Sequence, residues 1–299
     1  MPIGILLVDK PSGPTSHDVV QIVRRGTREK KVGHAGTLDP LATGLLVVCV
    51  GAATRLSDYM RDKNKHYRAR VRLGQTTNTY DADGEIIAES AALPDRATAE
   101  AALPDFRGVI QQRPPAYSAI KRGGQKAYEL ARAGKVIELE PRPVEIYALE
   151  LLDWAPPEFT LDALCSAGTY IRSLAHDLGQ RLGCGAHLTA LRRLAAGNFT
   201  LDQAVTLHEL EKAFAAGDWR RYLHRAEEAL PDWPAVRLAD DAAKRIVHGQ
   251  AIPLEAAQRA NAWACAYNSA GELIAILRAD TQYDKWRPQI VLASPASNL

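Results

Sequence analysis

What the sequence lacks narrows it first. Its four cysteines, at 49, 165, 184 and 265, form no C-x-x-C pair and stand far apart. That leaves no zinc-knuckle spacing and no dithiol motif. Scattered in a chain of 299 residues, they read as reduced, partly buried thiols of a cytoplasmic protein. The longest charge-free apolar stretch, Ala42 to Ala53, falls short of the roughly 20 residues a membrane-spanning helix needs. The N-terminal apolar stretch is too short for a signal-peptide core, has no basic lead, and suits a strand better. Charge of one sign is missing as well: 37 Lys plus Arg against 35 Asp plus Glu leave +2 at pH 7. Taken as a total, that argues against a wholly basic nucleic-acid binder. There is no G-x-x-x-x-G-K-[ST], no G-x-G-x-x-G and no G-x-S-x-G, so nothing points to nucleoside triphosphate, dinucleotide or serine-hydrolase chemistry. Repeats at solenoid period and low-complexity tracts are absent too.

What is present is an ordinary globular composition, 46% apolar and 24% charged, with a length that suits about two domains. Ile3–Val8 and Leu45–Val50 are continuous apolar runs that fit buried strands. Between them, Thr15 and Asp18 resemble a capping box ahead of Val19, Val20, Ile22 and Val23 at helical spacing. From Tyr67 the chain alternates, with Tyr67, Ala69, Val71 and Leu73 on one face and Arg68, Arg70 and Arg72 on the other. Asp83-Gly84 is a hairpin-type turn after which Glu85–Ala88 is expected to return as that strand's partner. Residues 107–135 read as a protruding insertion rather than core. Phe159, Leu161, Ala163 and Cys165 alternate as a strand, and Ile171 to Leu182 follows helical spacing. Leu188–Leu194 is predicted as a further short helix carrying Arg192 and Arg193. Pro231, Trp233 and Pro234 punctuate a boundary near 230, and 231–299 reads as a small β-rich second domain.

The near-neutral total hides a local pattern. Stretches 24–31, 61–72 and 107–135 carry nets of +4, +5 and +6, while 201–241 carries −4. One basic run is ordinarily a solvated face; three around one apolar framework are the footprint of a polyanion groove. Tyr59, Tyr67, Tyr80, Tyr117, Tyr128 and Tyr170, interleaved with these runs, suit stacking on exposed bases.

Asp39 sits in the Gly-rich loop Gly33-His34-Ala35-Gly36-Thr37-Leu38-Asp39-Pro40. It is either a functional carboxylate presented by a rigid scaffold or a turn-forming Asp-Pro. Arg172 is either a solvated arginine or a guanidinium that keeps a cleft carboxylate ionised. Pattern alone puts Tyr67 in the core. His34 could act as ligand, base or local hydrogen-bonding group, and no second histidine or cysteine at ligand spacing supports a metal site.

The Gly33–Leu46 loop resembles the signature of the bacterial tRNA pseudouridine synthase B family. VDKPSGPTSHDVV, Lys65-His66-Tyr67-Arg68-Ala69, RPPAYSAIK, Gly168-Thr169-Tyr170-Ile171-Arg172 and GCGAHLTALRRL join it in family order and span nearly the whole chain. The resemblance implies an α+β catalytic domain, 1–230, with a mixed, largely antiparallel sheet. An RNA clamp at about 107–136 and a PUA-like RNA-binding tail, 231–299, complete it. It also implies isomerisation of uridine 55 in the tRNA T-loop, without cofactor, metal or required protein partner, by a cytoplasmic monomer. In that reading Asp39 is the nucleophile, Tyr67 stacks on the target base and Arg172 pairs with Asp39. His34, Tyr170 and Leu191 contact the flipped uridine, and Lys121, Arg122 and Lys126 bind RNA. Two rivals stay open: an RNA-binding or tRNA-folding module with secondary or no isomerase activity, and a nucleosidase that releases uracil.

Overall fold

A computed structural model describes residues 2–118, 121–122, 125–126, 139–255 and 261–293, the two short pairs by backbone alone. Among these described residues, no helix is long and apolar enough to cross a membrane.

The dominant element is a mixed, largely antiparallel sheet. Its path runs Val205–Thr206, Gly4–Lys10, Thr43–Val50, Ala186–Ala196, Lys65–Leu73, Glu158–Cys165, Arg142–Ala155, Gly108–Gln112. The step from Thr43–Val50 to Ala186–Ala196 is parallel and brief, with Arg192 opposite Thr43 and Arg193 opposite Gly44. Elsewhere Ala186–Ala196 pairs along its length with Lys65–Leu73. The sheet therefore has two halves joined at a short seam, and the Asp39 loop enters the sheet at that seam.

Burial explains the two kinds of strand pattern. In Lys65–Leu73 the expected alternation holds: Tyr67, Ala69, Val71 and Leu73 are buried, and Arg68 and Arg70 are exposed. Arg68 pairs with Asp162 and Arg70 with Glu158 on that open face. The runs in Gly4–Lys10 and Thr43–Val50 are buried on both faces. Leu6, Val8, Leu46 and Val48 pack with the Ser16–Thr27, Ile171–Arg181 and Leu207–Ala216 helices. Ile5, Leu7, Leu45, Val47 and Cys49 pack on the opposite side with Ala229, Leu230, Cys265 and Ile276. A strand covered twice has no polar face to alternate with. The four cysteines are free and buried.

A second, five-stranded sheet is built from Ala235–Arg237, Trp263–Tyr267, Leu273–Asp280, Lys285–Val291 and Ile252–Pro253. The Asp240–Val247 helix covers it, and Trp286 fills its core. Tyr59, Trp233 and Trp263 close the junction with the large sheet: the tryptophan rings stack at 5.2 Å and Tyr59 meets both edge-on.

Three expectations are corrected. Residues 188–194 are not a helix but the centre of the Ala186–Ala196 strand. Irregular register between Leu188 and Ala190 and between Arg193 and Ala195 breaks the two-residue period, and the leucines then fall three apart. The strand after Gly84, Ile86–Glu89, pairs with Gln75–Thr77 in its own ribbon rather than with the Tyr67 strand. The stretch starting at 107 is not all protrusion: Gly108–Gln112 is a strand of the main sheet, and Gln112, Pro114 and Pro115 are buried. Lys121–Arg122 and Gln125–Lys126 pair as a small hairpin; their side chains, Tyr128 and the rest of the stretch to 138 lie outside the described residues.

Candidate active site

The Asp39 loop is held by groups that take up its backbone carbonyls one by one. The capping box of Thr15 and Asp18 sets the start of the Ser16–Thr27 helix. Its first residue, Ser16, then grips Leu38 through both backbone groups: Oγ donates to the Leu38 carbonyl (2.9 Å) and accepts from its N–H (2.8 Å). Lys10, fully buried at the end of its strand, donates from Nζ to the carbonyls of Pro11 (3.0 Å), Pro40 (3.2 Å) and Ala42 (2.6 Å). Arg193, also buried, donates to the carbonyls of Leu45 (2.7 Å), Thr37 (3.2 Å) and Gly36 (3.1 Å). Gly44 is left-handed (φ +96°), and a Cβ there would run into the Arg193 carbonyl, so the seam requires glycine.

These anchors present Asp39 on the wall of a cleft of about 990 Å³. The cleft is lined by Thr15, Ser16 and His17 near the Asp39 loop, by Asn78, Thr79, Asp81 and Asp83, and by Tyr117, Ser118 and Arg172. Arg172 is buried at the start of the Ile171–Arg181 helix. Its Nε lies 3.0 Å from Asp39 Oδ2, an ion pair whose N–H is not aligned for a hydrogen bond. Its Nη1 lies 3.2 Å from Asp81 Oδ2 and donates to the Thr79 carbonyl (3.3 Å), and Nη2 donates to the Tyr117 carbonyl (3.0 Å). Asp81 is itself fixed by Thr79 Oγ1 (2.6 Å) and the Asp83 N–H (3.2 Å). One guanidinium thus joins two carboxylates and two chain segments.

The electrostatics follow from this placement. Burial raises the Asp39 carboxyl above the ordinary aspartate value; Arg172 opposes that rise, Asp81 adds to it and Lys10 opposes it. Burial pulls Lys10 and Lys65 down to about 8. His34 is lowered by burial and by Arg193, so a neutral imidazole faces the cleft. Burial raises the Tyr67 hydroxyl despite Arg193 beside it, so Tyr67 is a neutral phenol at pH 7.

The structure brings His34, Asp39 and Arg172 together on the cleft wall. Tyr67 is buried behind it, against Arg193. Tyr170 stands at the start of the Arg172 helix, where buried Gln112 bonds both its backbone N–H (2.8 Å) and its carbonyl (3.0 Å). Leu191 is buried on the seam strand, its carbonyl accepting from Thr43. Two of the tyrosines expected to stack on bases are engaged within the protein: Tyr59 with the two tryptophans and Tyr80 with His176. Asp81, Lys10, Arg193 and Gln112 were not singled out from sequence as site residues. The signals were their places in the chain: Lys10 and Arg193 lie inside quoted motifs, and Asp81 opens the Asp81-Ala82-Asp83-Gly84 turn, where an aspartate commonly bonds the local backbone.

Comparison with known proteins decides the family. The family model described as "TruB family pseudouridylate synthase (N terminal domain)" matches residues 24–171, and the "tRNA pseudouridylate synthase B C-terminal domain" matches 172–230. A tRNA pseudouridine synthase B of Pseudomonas putida is 50% identical over 252 residues, covering 83% of each chain. One from Burkholderia lata is 49% identical over 253 residues, 85% of this chain and 78% of that one. The chain belongs to the TruB family of pseudouridine synthases. Solved structures contain chains of the same fold. The Cbf5-Nop10-Gar1 complex contains a chain 27% identical at TM-score 0.73, covering 98% of this chain and 85% of that one. An H/ACA ribonucleoprotein bound to a substrate RNA containing 2′-deoxyuridine contains another, 25% identical at TM-score 0.72, with 98% and 86% covered. Members of the TruB family are pseudouridine synthases, which are isomerases.

Proposed function

We propose that this enzyme converts uridine 55 of the tRNA T-loop to pseudouridine, with Asp39 as the nucleophile. The observation that carries this reading is the Arg172–Asp39 ion pair on the wall of a cleft large enough for a nucleotide, in a chain of the TruB family. The reaction breaks the bond between ribose C1′ and base N1, turns the base and joins C1′ to C5. N1 gains a proton and C5 loses one, so the product is an isomer. A carboxylate opens that path by covalent catalysis, at ribose C1′ or at base C6. Arg172 and Lys10 favour the ionised, nucleophilic form of the carboxylate, opposing the rise that burial imposes. Neutral Tyr67 offers a ring face to the base and a hydroxyl that exchanges protons as a hydrogen-bonding phenol rather than as a phenolate. His34, Tyr170 and Leu191 receive the flipped uridine, whose extrusion costs a few kcal/mol.

In this reading residues 1–230 are the catalytic domain and 231–299 a PUA-like RNA-binding domain. The protein acts on the T-arm as a monomer in the cytoplasm, without a required protein partner. Lys121, Arg122 and Lys126 clamp the RNA. Replacing all three with Gln is expected to reduce the slope of log affinity against log salt by about 2, as three lost phosphate contacts would. Filter binding across a salt series reads this, and an unchanged slope removes the clamp.

The central test is carbodiimide mapping of pseudouridine in a T-arm stem-loop. Wild type should convert the T-loop uridine fully, and Asp39→Asn should leave it as uridine while still binding. Tight binding without conversion by wild type favours a tRNA-folding module. Release of free uracil, read by chromatography, favours a nucleosidase.

A further inference from the structure

Tyr80 lies in the 78–84 turn, of which Asn78, Thr79, Asp81, Asp83 and Gly84 line the cleft, but its own side chain stacks on His176 instead. Its backbone is left-handed, with φ +65°, a conformation unfavourable for a residue carrying a large side chain. Such a residue persists where its surroundings over-determine it, and here they do. The Tyr80 N–H donates to the Thr77 carbonyl (3.3 Å), and its own carbonyl accepts from the Leu188 N–H (3.0 Å). Its ring lies flat on the His176 imidazole, centroids 3.8 Å apart and planes 13° from parallel. His176 Nδ1 is buried without a hydrogen-bond partner, and burial lowers the histidine, so the stacked ring is neutral and held by the stack.

His176 stands four residues after Arg172, on the same face of the Ile171–Arg181 helix. Turn and helix are therefore joined by two rungs, Asp81 to Arg172 and Tyr80 to His176. The residues on either side of Tyr80 are those that hold Nη1 of Arg172, Thr79 through its carbonyl and Asp81 through its carboxylate. A rotation of the turn about Tyr80 would move both together and carry the guanidinium off Asp39.

We propose that Tyr80, clamped on His176, is a positioning residue for the isomerisation: it fixes the 78–84 turn so that Thr79 and Asp81 hold Arg172 against Asp39. Tyr80 touches neither the reacting atoms nor the cleft; it acts through Asp81 and Thr79. The proposal rests on the reading of Asp39 as the nucleophile.

The test uses the full chain, steady-state isomerisation of a T-arm stem-loop, and thermal melting of each variant. Tyr80→Gly removes the ring and suits the left-handed backbone, so the turn is not strained by the change. It is expected to lower kcat by about tenfold or more, since a small misplacement of a reacting group costs that much, with KM little changed. Tyr80→Phe keeps the stack and restores the rate. In an Asp81→Asn background, Tyr80→Gly is expected to add little, because the two act through one contact. Wild-type kcat in Tyr80→Gly, or an undiminished further loss in the Asp81→Asn background, overturns the proposal. If Tyr80→Gly melts early, His176→Ala removes the same stack from the helix side, and an unaltered rate there overturns it equally. An inactive wild type, or a fully active Asp39→Asn, overturns the nucleophile reading instead.

Discussion

Burial raises the Asp39 carboxyl, Arg172 opposes the rise, Asp81 adds to it and Lys10 opposes it. Because the proposed nucleophile is the ionised form, the acid limb of the single-turnover rate should fall above the ordinary aspartate value of 3.8. Asp81→Asn removes a negative neighbour whose charge raises Asp39, so it lowers the Asp39 pKa and moves that limb to lower pH, even as the maximal rate falls because Arg172 is held less firmly. Lys10→Met removes a cation and moves the limb upward. A rate-against-pH series at saturating enzyme reads both shifts, and equal limbs in all three proteins would remove Asp39 from the titration. At this scale Asp39 and Arg172 were legible as chemistry, a loop carboxylate and a guanidinium able to pair with it. Lys10 and Arg193 stand in quoted motifs too, but nothing local to them gave their role. A lysine or arginine is rarely fully buried, and these two are buried because they satisfy loop carbonyls that only the folded seam creates.

The Ile171–Arg181 helix ties the cleft to the segments around it. Ser173 Oγ donates to the Arg113 carbonyl (2.8 Å), and Gln112 secures Tyr170. On its outer turn, burial lifts Asp177 to about 6, with Arg113 opposing. Between pH 4 and 6 the folded chain therefore keeps a proton that the unfolded chain has released. Stability falls as pH rises through that window, and the penalty is complete above it. Because the half-buried carboxyl is screened by solvent, Asp177→Asn should recover about 1 kcal/mol at pH 8 rather than the roughly 3 kcal/mol of the full shift, a rise in Tm of about 2–4 °C, and little at pH 4. Melting curves at the two pH values check this; a gain of equal size at both would point to packing rather than charge. This helix was legible because its apolar residues keep one period and Gly183 follows it. The 186–196 strand was not, because its bulges and its burial on both faces erase the period that distinguishes strand from helix.

At the scale of the whole molecule, the two sheets share a core. Leu7, on the strand that ends at Lys10, and Ile276, in the C-terminal sheet, are both fully buried in one apolar cluster with Leu45, Ala229 and Cys265. The continuous apolar run of Ile5–Val8 said that something covers both faces, but no local pattern could say that the cover comes from residues more than 200 positions later. A shared core couples unfolding: opening the C-terminal sheet alone would bare Leu7, Leu45 and Val47 to water at about 25 cal/mol per Å². The chain is therefore expected to melt in one cooperative transition rather than two. Leu7→Ala and Ile276→Ala, each costing about 2–5 kcal/mol, should both lower that single transition. Their double variant should lose less than the sum, because the second truncation enlarges a cluster already loosened. Calorimetry separates the alternatives: a second peak moved by Ile276→Ala while the first stays in place would show two cores that unfold independently.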